Sequence, residues 1–450
     1  MEVVEDRCAF LDVHRDTVMA CARLPDPGGG GRLEEVAEFG TTTSQLLVLL
    51  DWLVERDVSL VGMEATGIYW KPVHWVLEDQ IDRVWVINAR HMRNVPGRKT
   101  DVADAQWGAQ LLEHGLVRPS FIPERPVREM RDLTRYRKSV IEERGRETQR
   151  LHKVLEDAGI KLASFTSSVL TKSGRQMIDA LIAGQRDPEV LAEMAKGRMR
   201  VKIPQLQDAL AGCFNAHHAR LCATMLDRID HADRVIDELT EQIEVLLDPH
   251  EAAVHLLCGI PGVSNRTAQV ILAEIGTDMS RFPTAGHLAS WAGMCPGNNE
   301  SAGKHRSGRT RHGSKWLRIA LVEAGQAAGR SKNTYLSAHY HRIRGRRGPR
   351  RAAVAVGHSI LVIAWHLLST GELYNELGGD YFDRRRTSHA RQRRLVAQLE
   401  AMGLDVNHHT RRRVTNTQGS APKGTAAPHP CPEHARTGFY SHLRAHAGST

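Results

Sequence analysis

The order of hydrophobic periods near the N-terminus constrains the fold more than any other feature of the chain. Residues 7–24, RCAFLDVHRDTVMACARL, read as two strands joined by a tight turn near His14–Asp16, and residues 34–39 read as a third. Residues 41–56, TTTSQLLVLLDWLVER, have a Thr/Ser start followed by the apolar period of an amphipathic helix. VSLVGMEAT (58–66) is a short buried strand, 68–80 a helix, RVWVINA (83–89) a strand, and a further helix begins near Thr100. Three strands, helix, strand, helix, strand, helix predicts an α/β layer on a mixed sheet in which strands one and four are neighbours.

Beyond that layer the patterns are helical. Met225, Ile229, Ala232, Ile236, Leu239, Ile243 and Leu246 alternate in steps of four and three, which is a heptad seam. Residues 127–155 carry a weaker repeat through Val127, Met130, Leu133, Val140, Leu151 and Val154. Two such helices make a long coiled-coil arm, and an intramolecular hairpin and an oligomer contact fit the pattern equally. The expected organisation is 1–120 an α/β domain, 121–249 a helical coiled-coil region, 250–385 a mostly helical domain, and 386–450 a basic tail. Within that tail 387–413 reads as a basic helix, and 414–450, rich in Thr, Gly, Ala, Pro and His, as disordered.

Charge narrows the partners. The formal net charge is +9 and the pI about 9.3, with the basic excess gathered beyond residue 300. A clustered excess of cations points to a polyanion, usually nucleic acid. Glu2, Glu5 and Asp6 stand where a signal peptide would be positive, and no run of about 18 apolar residues stands out, so neither a leader nor a membrane span is expected. The seven cysteines are scattered and form no paired zinc signature, which fits the cytoplasm. Cys213, His217, His218 and Cys222 have helical spacing and read as packing.

Four carboxylates stand out. Asp12 follows the apolar run of the first strand and Glu64 ends the fourth. Asp101 and Asp104, three apart, share one face of the helix that starts in GRKTDVADAQW. Singly each has an ordinary reading, a turn residue or an N-terminal helix charge. Together, at neighbouring strand ends under one helix, they would repel unless a cation neutralised them. Oxygen ligands select Mg²⁺ or Mn²⁺, and paired ions of that kind assist phosphodiester displacement.

In the second half, LCGIPGVSNRTAQVILAEIG (257–276) reads as a helix-hairpin-helix-like element whose turn could hold a phosphate. Residues 297–303 are rich in Gly, Asn and Ser, a loop by composition. Lys304, Arg306, Arg309, Arg311, Lys315 and Arg318 then follow without an acid. A serine beside such cations suits attack on a phosphodiester, and Ser301, Ser307 and Ser314 compete for that place. Arg342, Arg344, Arg346, Arg347, Arg350 and Arg351 lie in a segment punctuated by Gly and Pro, read as a phosphate-contacting loop.

LDVHRDT (11–17), GMEATGIYW (62–70) and NVPGRKTDVADAQ (94–106) resemble the N-terminal RuvC-like (RNase H-like) domain of the DEDD transposases, insertion-sequence recombinases guided by a bridge RNA. Residues 281–325 resemble the same family's C-terminal transposase domain. The likeness runs from about residue 7 to about 383. It implies that Asp12, Glu64, Asp101 and Asp104 are a Mg²⁺-binding tetrad and that Ser301 is the nucleophile. Here the family's Ser-Gly pair reads Ser301–Ala302–Gly303, which keeps Ser307–Gly308 as a second candidate. It also implies donor and target DNA as substrates, a non-coding bridge RNA, and a homo-oligomer, dimer or tetramer, with a composite active centre. The rival classes are a metal-dependent junction nuclease with no covalent intermediate and a non-catalytic nucleic-acid-binding protein.

Overall fold

In the computed structural model of the chain, the described residues are 2–65, 67–88, 92, 100–295, 300, 301, 304, 305, 310, 312–384 and 388–403. Alternation across the first segment becomes three antiparallel strands, β1 (Cys8–Val13), β2 (Thr17–Pro25) and β3 (Arg32–Gly40). After α1 (Thr43–Val54), β4 (Leu60–Glu64) pairs parallel with β1, and after α2 (Trp70–Leu77), β5 (Arg83–Ile87) pairs parallel with β4. The sheet order is β3-β2-β1-β4-β5, so strands one and four are neighbours as the pattern predicts. Edge strand β3 carries Glu34, Glu35 and Glu38, charges that oppose further strand pairing.

The pleat sorts β1 between two cores. Ala9, Leu11 and Val13 join Leu46, Leu49 and Leu53 of α1 and Val73 and Leu77 of α2 on one face. Cys8 and Phe10 point to the other, against Ala105, Ala109 and Leu112 of α3 (Asp101–Glu113). The C-terminal end of α3 is anchored by Glu113, which is fully buried and accepts from Arg23 Nε at 2.9 Å and Arg32 Nε at 2.5 Å.

A helix of 33 residues, α4 (Arg125–Asp157), follows. Three short helices come next, α5 (Lys172–Ile182), α6 (Pro188–Glu193) and α7 (Ile203–Leu210). They pack a small core of their own between the far ends of α4 and of α8 (Ala216–Leu247). Two of them are opened by side-chain caps, Thr171 and Asp187. Helices α4 and α8 run antiparallel: Arg137 donates to Thr240 at 3.2 Å, Arg144 pairs with Asp233, and Val140 packs on Ala232 and Ile236. The seam is therefore satisfied within the chain. It is also offset at its ends: Leu226 and Leu247 are buried where the heptad reading places Met225 and Leu246, one residue later in both cases.

The remaining helices are α9 (Glu251–Cys258), α10 (Asn265–Ile275), α11 (Ala285–Trp291), α12 (Lys315–Ala328), α13 (Tyr335–Arg347), α14 (Pro349–Thr370) and α15 (Tyr381–Arg384), with a two-stranded hairpin, β6 (Glu300–Ser301) and β7 (Lys304–His305), between α11 and α12. They enclose the largest core, which also takes in Met130 of α4. Helix α14 corrects the expectation that no segment is apolar enough to cross a membrane: by length and composition it is. Its Val356, Ile360, Leu361, Ala364 and Leu367 are core residues of this helical region. Residues 1–385 form one compact unit; of 386–450, the described part is α16 (Ser388–Ala401), where a basic helix is expected. The stretch 414–450 lies outside the described residues.

Candidate metal centre and nucleic-acid interface

Three features bring carboxylates to one end of the sheet. The β1–β2 turn is pinned by the His14 amide donating to Thr17 O at 2.9 Å, which leaves Asp12 near the end of β1 on the α3 side. The β1–β4 register runs to Leu11↔Met63, so Asp12 and Glu64 occupy the next rung, at the ends of adjacent parallel strands. Helix α3 starts at Asp101 because the Thr100 side chain accepts from the Ala103 amide at 3.2 Å. Farther along α3, Gly108 allows the helix to lie low on the sheet: a Cβ there would sit 2.3 Å from Phe10 Cδ1. Asp101, Asp104 and Gly108 follow one stripe of the helix.

The resulting geometry is close. His14 Nε2 lies 3.2 Å from Asp12 Oδ2 and 3.5 Å from Asp101 Oδ1, and the ligand atoms of the three residues fall within 4.8 Å of one another. Burial pushes the Asp12 carboxyl above its usual range; His14 opposes that shift, while Asp101 and Asp104 add to it. The Asp12 side chain is 16 % exposed and that of Asp101 60 %, so the cluster has a buried floor and an open side. Asp104 is exposed on the same helical turn, and Glu64 is half-buried at its strand end. Two carboxylates and an imidazole at this spacing are a donor set that fits a divalent cation. His14 was not among the expected site residues. Its signal was present in LDVH, where it stands two residues beyond Asp12 on the same face of the chain. Among the described residues this is the one group of His, Cys, Asp and Glu with metal-ligand spacing. His218 instead caps α8, its Nδ1 accepting from the Asn215 amide at 3.2 Å, and Cys222 is core.

The serines separate. Ser301 lies in β6, its backbone opposite Lys304 in β7, so it belongs to a small hairpin where composition reads as a loop. Its flanks Met294 and Leu317 belong to the large helical core, not to the core that flanks Asp12. Ser314 is committed elsewhere. It is the N-cap of α12, accepting from the Leu317 amide at 3.2 Å and donating to Glu274 Oε2 at 2.9 Å. Glu274 is buried, and Arg135 of α4 donates to both of its oxygens at 2.7 and 2.9 Å. Just before Ser314, Gly313 abuts the end of α11: a Cβ on it would lie 2.3 Å from Ala292 C and Gly293 N. Ser307, Arg306, Arg309 and Arg311 lie outside the described residues; Lys315 is exposed on the first turn of α12.

The arginine-rich segment is helical, which corrects the loop reading. Arg342, Arg344, Arg346 and Arg347 extend α13, and Arg350 and Arg351 open α14. Gly345 is accommodated inside α13; the break comes at Gly348, whose φ of 82° suits glycine, and Pro349 takes the first helical position. All six arginines are exposed, and among the described residues no carboxylate pairs with them. Arg344, Arg346 and Arg347 favour the C-terminal end of α13, whereas Arg350 and Arg351 oppose the dipole at the start of α14. Helix stability does not explain cations there. In the hairpin after α9, Gly262 has φ 91° and a Cβ would meet Ala324 O at 2.5 Å, so close packing on α12 requires this glycine.

A mixed sheet ending in carboxylates is thus followed by helices whose exposed arginines have no carboxylate partner among the described residues. A family model described as Transposase, of the DEDD IS110 type, matches residues 11–160, and one described as Transposase IS116/IS110/IS902 family matches residues 254–341. The chain belongs to the IS110 family of transposases, whose two domains it carries in order. It is similar to the putative transposase y4pF/y4sB of Sinorhizobium fredii, 32 % identical over 27 % of this chain and 33 % of the relative. It is 40 % identical over 18 % of its length to an insertion element IS110 protein of Streptomyces coelicolor, covering 20 % of that protein. Against the transposase for insertion sequence element IS1111A of Coxiella burnetii it is 26 % identical over 40 % of this chain and 51 % of the relative. The matches thus span between a fifth and a half of these relatives.

Proposed function

We propose that the protein is a DNA transposase that cleaves and rejoins strands at the ends of an insertion sequence, acting on donor and target DNA. The observation that carries this reading is the cluster of Asp12, His14 and Asp101 at the sheet end, with Asp104 close enough to raise the Asp12 pKa, in a chain that matches both family domains. The strand order supports a RuvC-like assignment for the sheet domain. Asp12, Glu64, Asp101 and Asp104 would hold Mg²⁺ or Mn²⁺, which when bound supplies Lewis-acid stabilisation of phosphoryl oxygens. Ser301 Oγ attacks the phosphodiester, leaving a phosphoserine bond and a free DNA hydroxyl end. That bond conserves the energy needed to reseal the strand. Lys304, Arg306, Arg309, Arg311 and Lys315 bind phosphate near the serine, and Arg342 to Arg351 track a backbone, in DNA or in a guiding bridge RNA. A homo-oligomer brings serines and carboxylates of different copies together.

The test is to incubate the full chain with guide RNA and labelled DNA, denature, and look for label migrating with protein. The parent forms the adduct, and Ser301→Ala binds nucleic acid but forms none. Cleaved DNA without adduct in the parent would make the protein a metal-dependent nuclease. Adduct persisting in Ser301→Ala would remove that serine from the chemistry.

A further inference from the structure

We propose that His14 is a direct ligand of the catalytic cation, which makes the site one for a first-row transition ion, Mn²⁺, in preference to Mg²⁺; this rests on the carboxylate site proposed above. An octahedral ion with oxygen ligands near 2.1 Å sets neighbouring donors about 3 Å apart. His14 Nε2 stands 3.2 Å from Asp12 Oδ2 and 3.5 Å from Asp101 Oδ1, so the imidazole nitrogen already lies close to such an edge distance from both carboxylates. The position is held from behind. The His14 amide donates to Thr17 O at 2.9 Å, and the strand pairing continues up to Val13↔Val18. The two-residue period of the strand brings the ring to the same side as Asp12.

The consequence is chemical selectivity. Carboxylates suit Mg²⁺ and Mn²⁺ alike, but Mg²⁺ is a hard ion held by oxygen ligands, whereas Mn²⁺, a first-row transition ion, accepts an imidazole nitrogen more readily. A histidine that only neutralised the carboxylates would bring charge to the site without setting that preference.

The experiment uses the full chain loaded with one equivalent of Mn²⁺, read by pulsed electron paramagnetic resonance and by calorimetric titration. The parent shows electron spin-echo modulation from a directly bound ¹⁴N, and His14→Ala and His14→Asn lose it. Mn²⁺ affinity falls at least about tenfold in both variants, since even a residue one shell out is worth that much, while Mg²⁺ affinity falls by a clearly smaller factor. The parent spectrum decides even if a variant folds poorly. Mn²⁺ bound without nitrogen modulation overturns the assignment and leaves a carboxylate-only centre. Modulation that persists in His14→Ala overturns it too, as does an equal loss of Mn²⁺ and Mg²⁺ affinity, which makes His14 a group that merely steadies Asp12. If the parent binds neither ion, the carboxylate site itself falls and the assignment with it.

Discussion

Gly108→Ala probes how α3 delivers its aspartates. The added Cβ would stand 2.3, 2.4 and 2.6 Å from Phe10 Cδ1, Cγ and Cε1, where carbon atoms pack at about 3.5–4.0 Å. Phe10 is 2 % exposed and wedged between the sheet and α3, so the ring has nowhere to turn and the helix must rise by about 1 Å. Overpacking of this kind costs about 1–3 kcal/mol. The better helix propensity of alanine returns about 0.5–1 kcal/mol, leaving a net loss of up to about 2.5 kcal/mol. The larger effect is at the site. Glu113 still ties the far end of α3 to Arg23 and Arg32, so the helix tilts and lifts Asp101 and Asp104 away from Asp12. A displacement of 1 Å at a reacting centre is worth about a hundredfold in rate. Urea unfolding followed by circular dichroism, Mn²⁺ titration and the strand-cleavage assay read the three consequences. Adding Phe10→Leu to Gly108→Ala removes the obstructing ring atoms and recovers cation affinity. If Gly108→Ala is as stable as the parent and binds Mn²⁺ equally well, close approach at Gly108 does not position the carboxylates.

Three further outcomes follow from the same geometry. Asp101→Asn abolishes strand cleavage while shifting stability by no more than about 0.5 kcal/mol, as expected for an exposed surface position, checked by cleavage assay and thermal unfolding. Replacing Arg346, Arg347, Arg350 and Arg351 with Ala lowers the slope of log affinity against log salt by about 3–4, at about 0.9 per phosphate contact; fluorescence-anisotropy titrations at several salt concentrations measure it. Ser314→Ala loses about 1–3 kcal/mol through the missing N-cap of α12 and the lost hydrogen bond to buried Glu274, seen in urea unfolding, yet still forms the covalent adduct.

The sheet was legible because its strands are short apolar or alternating runs bounded by turn residues and helix starts, and the start of α3 because Thr100–Asp101 is a helix-opening pair. Strand neighbours followed from the order of elements. Other features depend on contacts that sequence spacing does not encode. The α8 seam buries Leu226 rather than Met225 at one end and Leu247 rather than Leu246 at the other, neighbours too alike in hydrophobicity for spacing to choose between them. Gly345 and Gly348 look alike in sequence, but the first is carried inside α13 and only the second takes a positive φ. His14 looks like a turn residue until the strand face it shares with Asp12 is counted. Ser314 looks like Ser301 until the buried Glu274, forty residues earlier, claims its hydroxyl.

The contact between Gly313 and Ala292–Gly293 makes the intervening stretch an exchangeable cassette. The chain departs from the helical core at the end of α11 and rejoins it at the same spot, with Met294 buried on one side and the Ser314–Glu274 clasp on the other. Changes of length between these splice points leave the packed helices where they are, and each doubling of a loop costs only about 0.6 kcal/mol in closure entropy. The segment bearing Ser301 can therefore lengthen, shorten or be transplanted between related chains at little expense to the scaffold, whereas Gly313, with backbone pressed against backbone, admits no side chain at all.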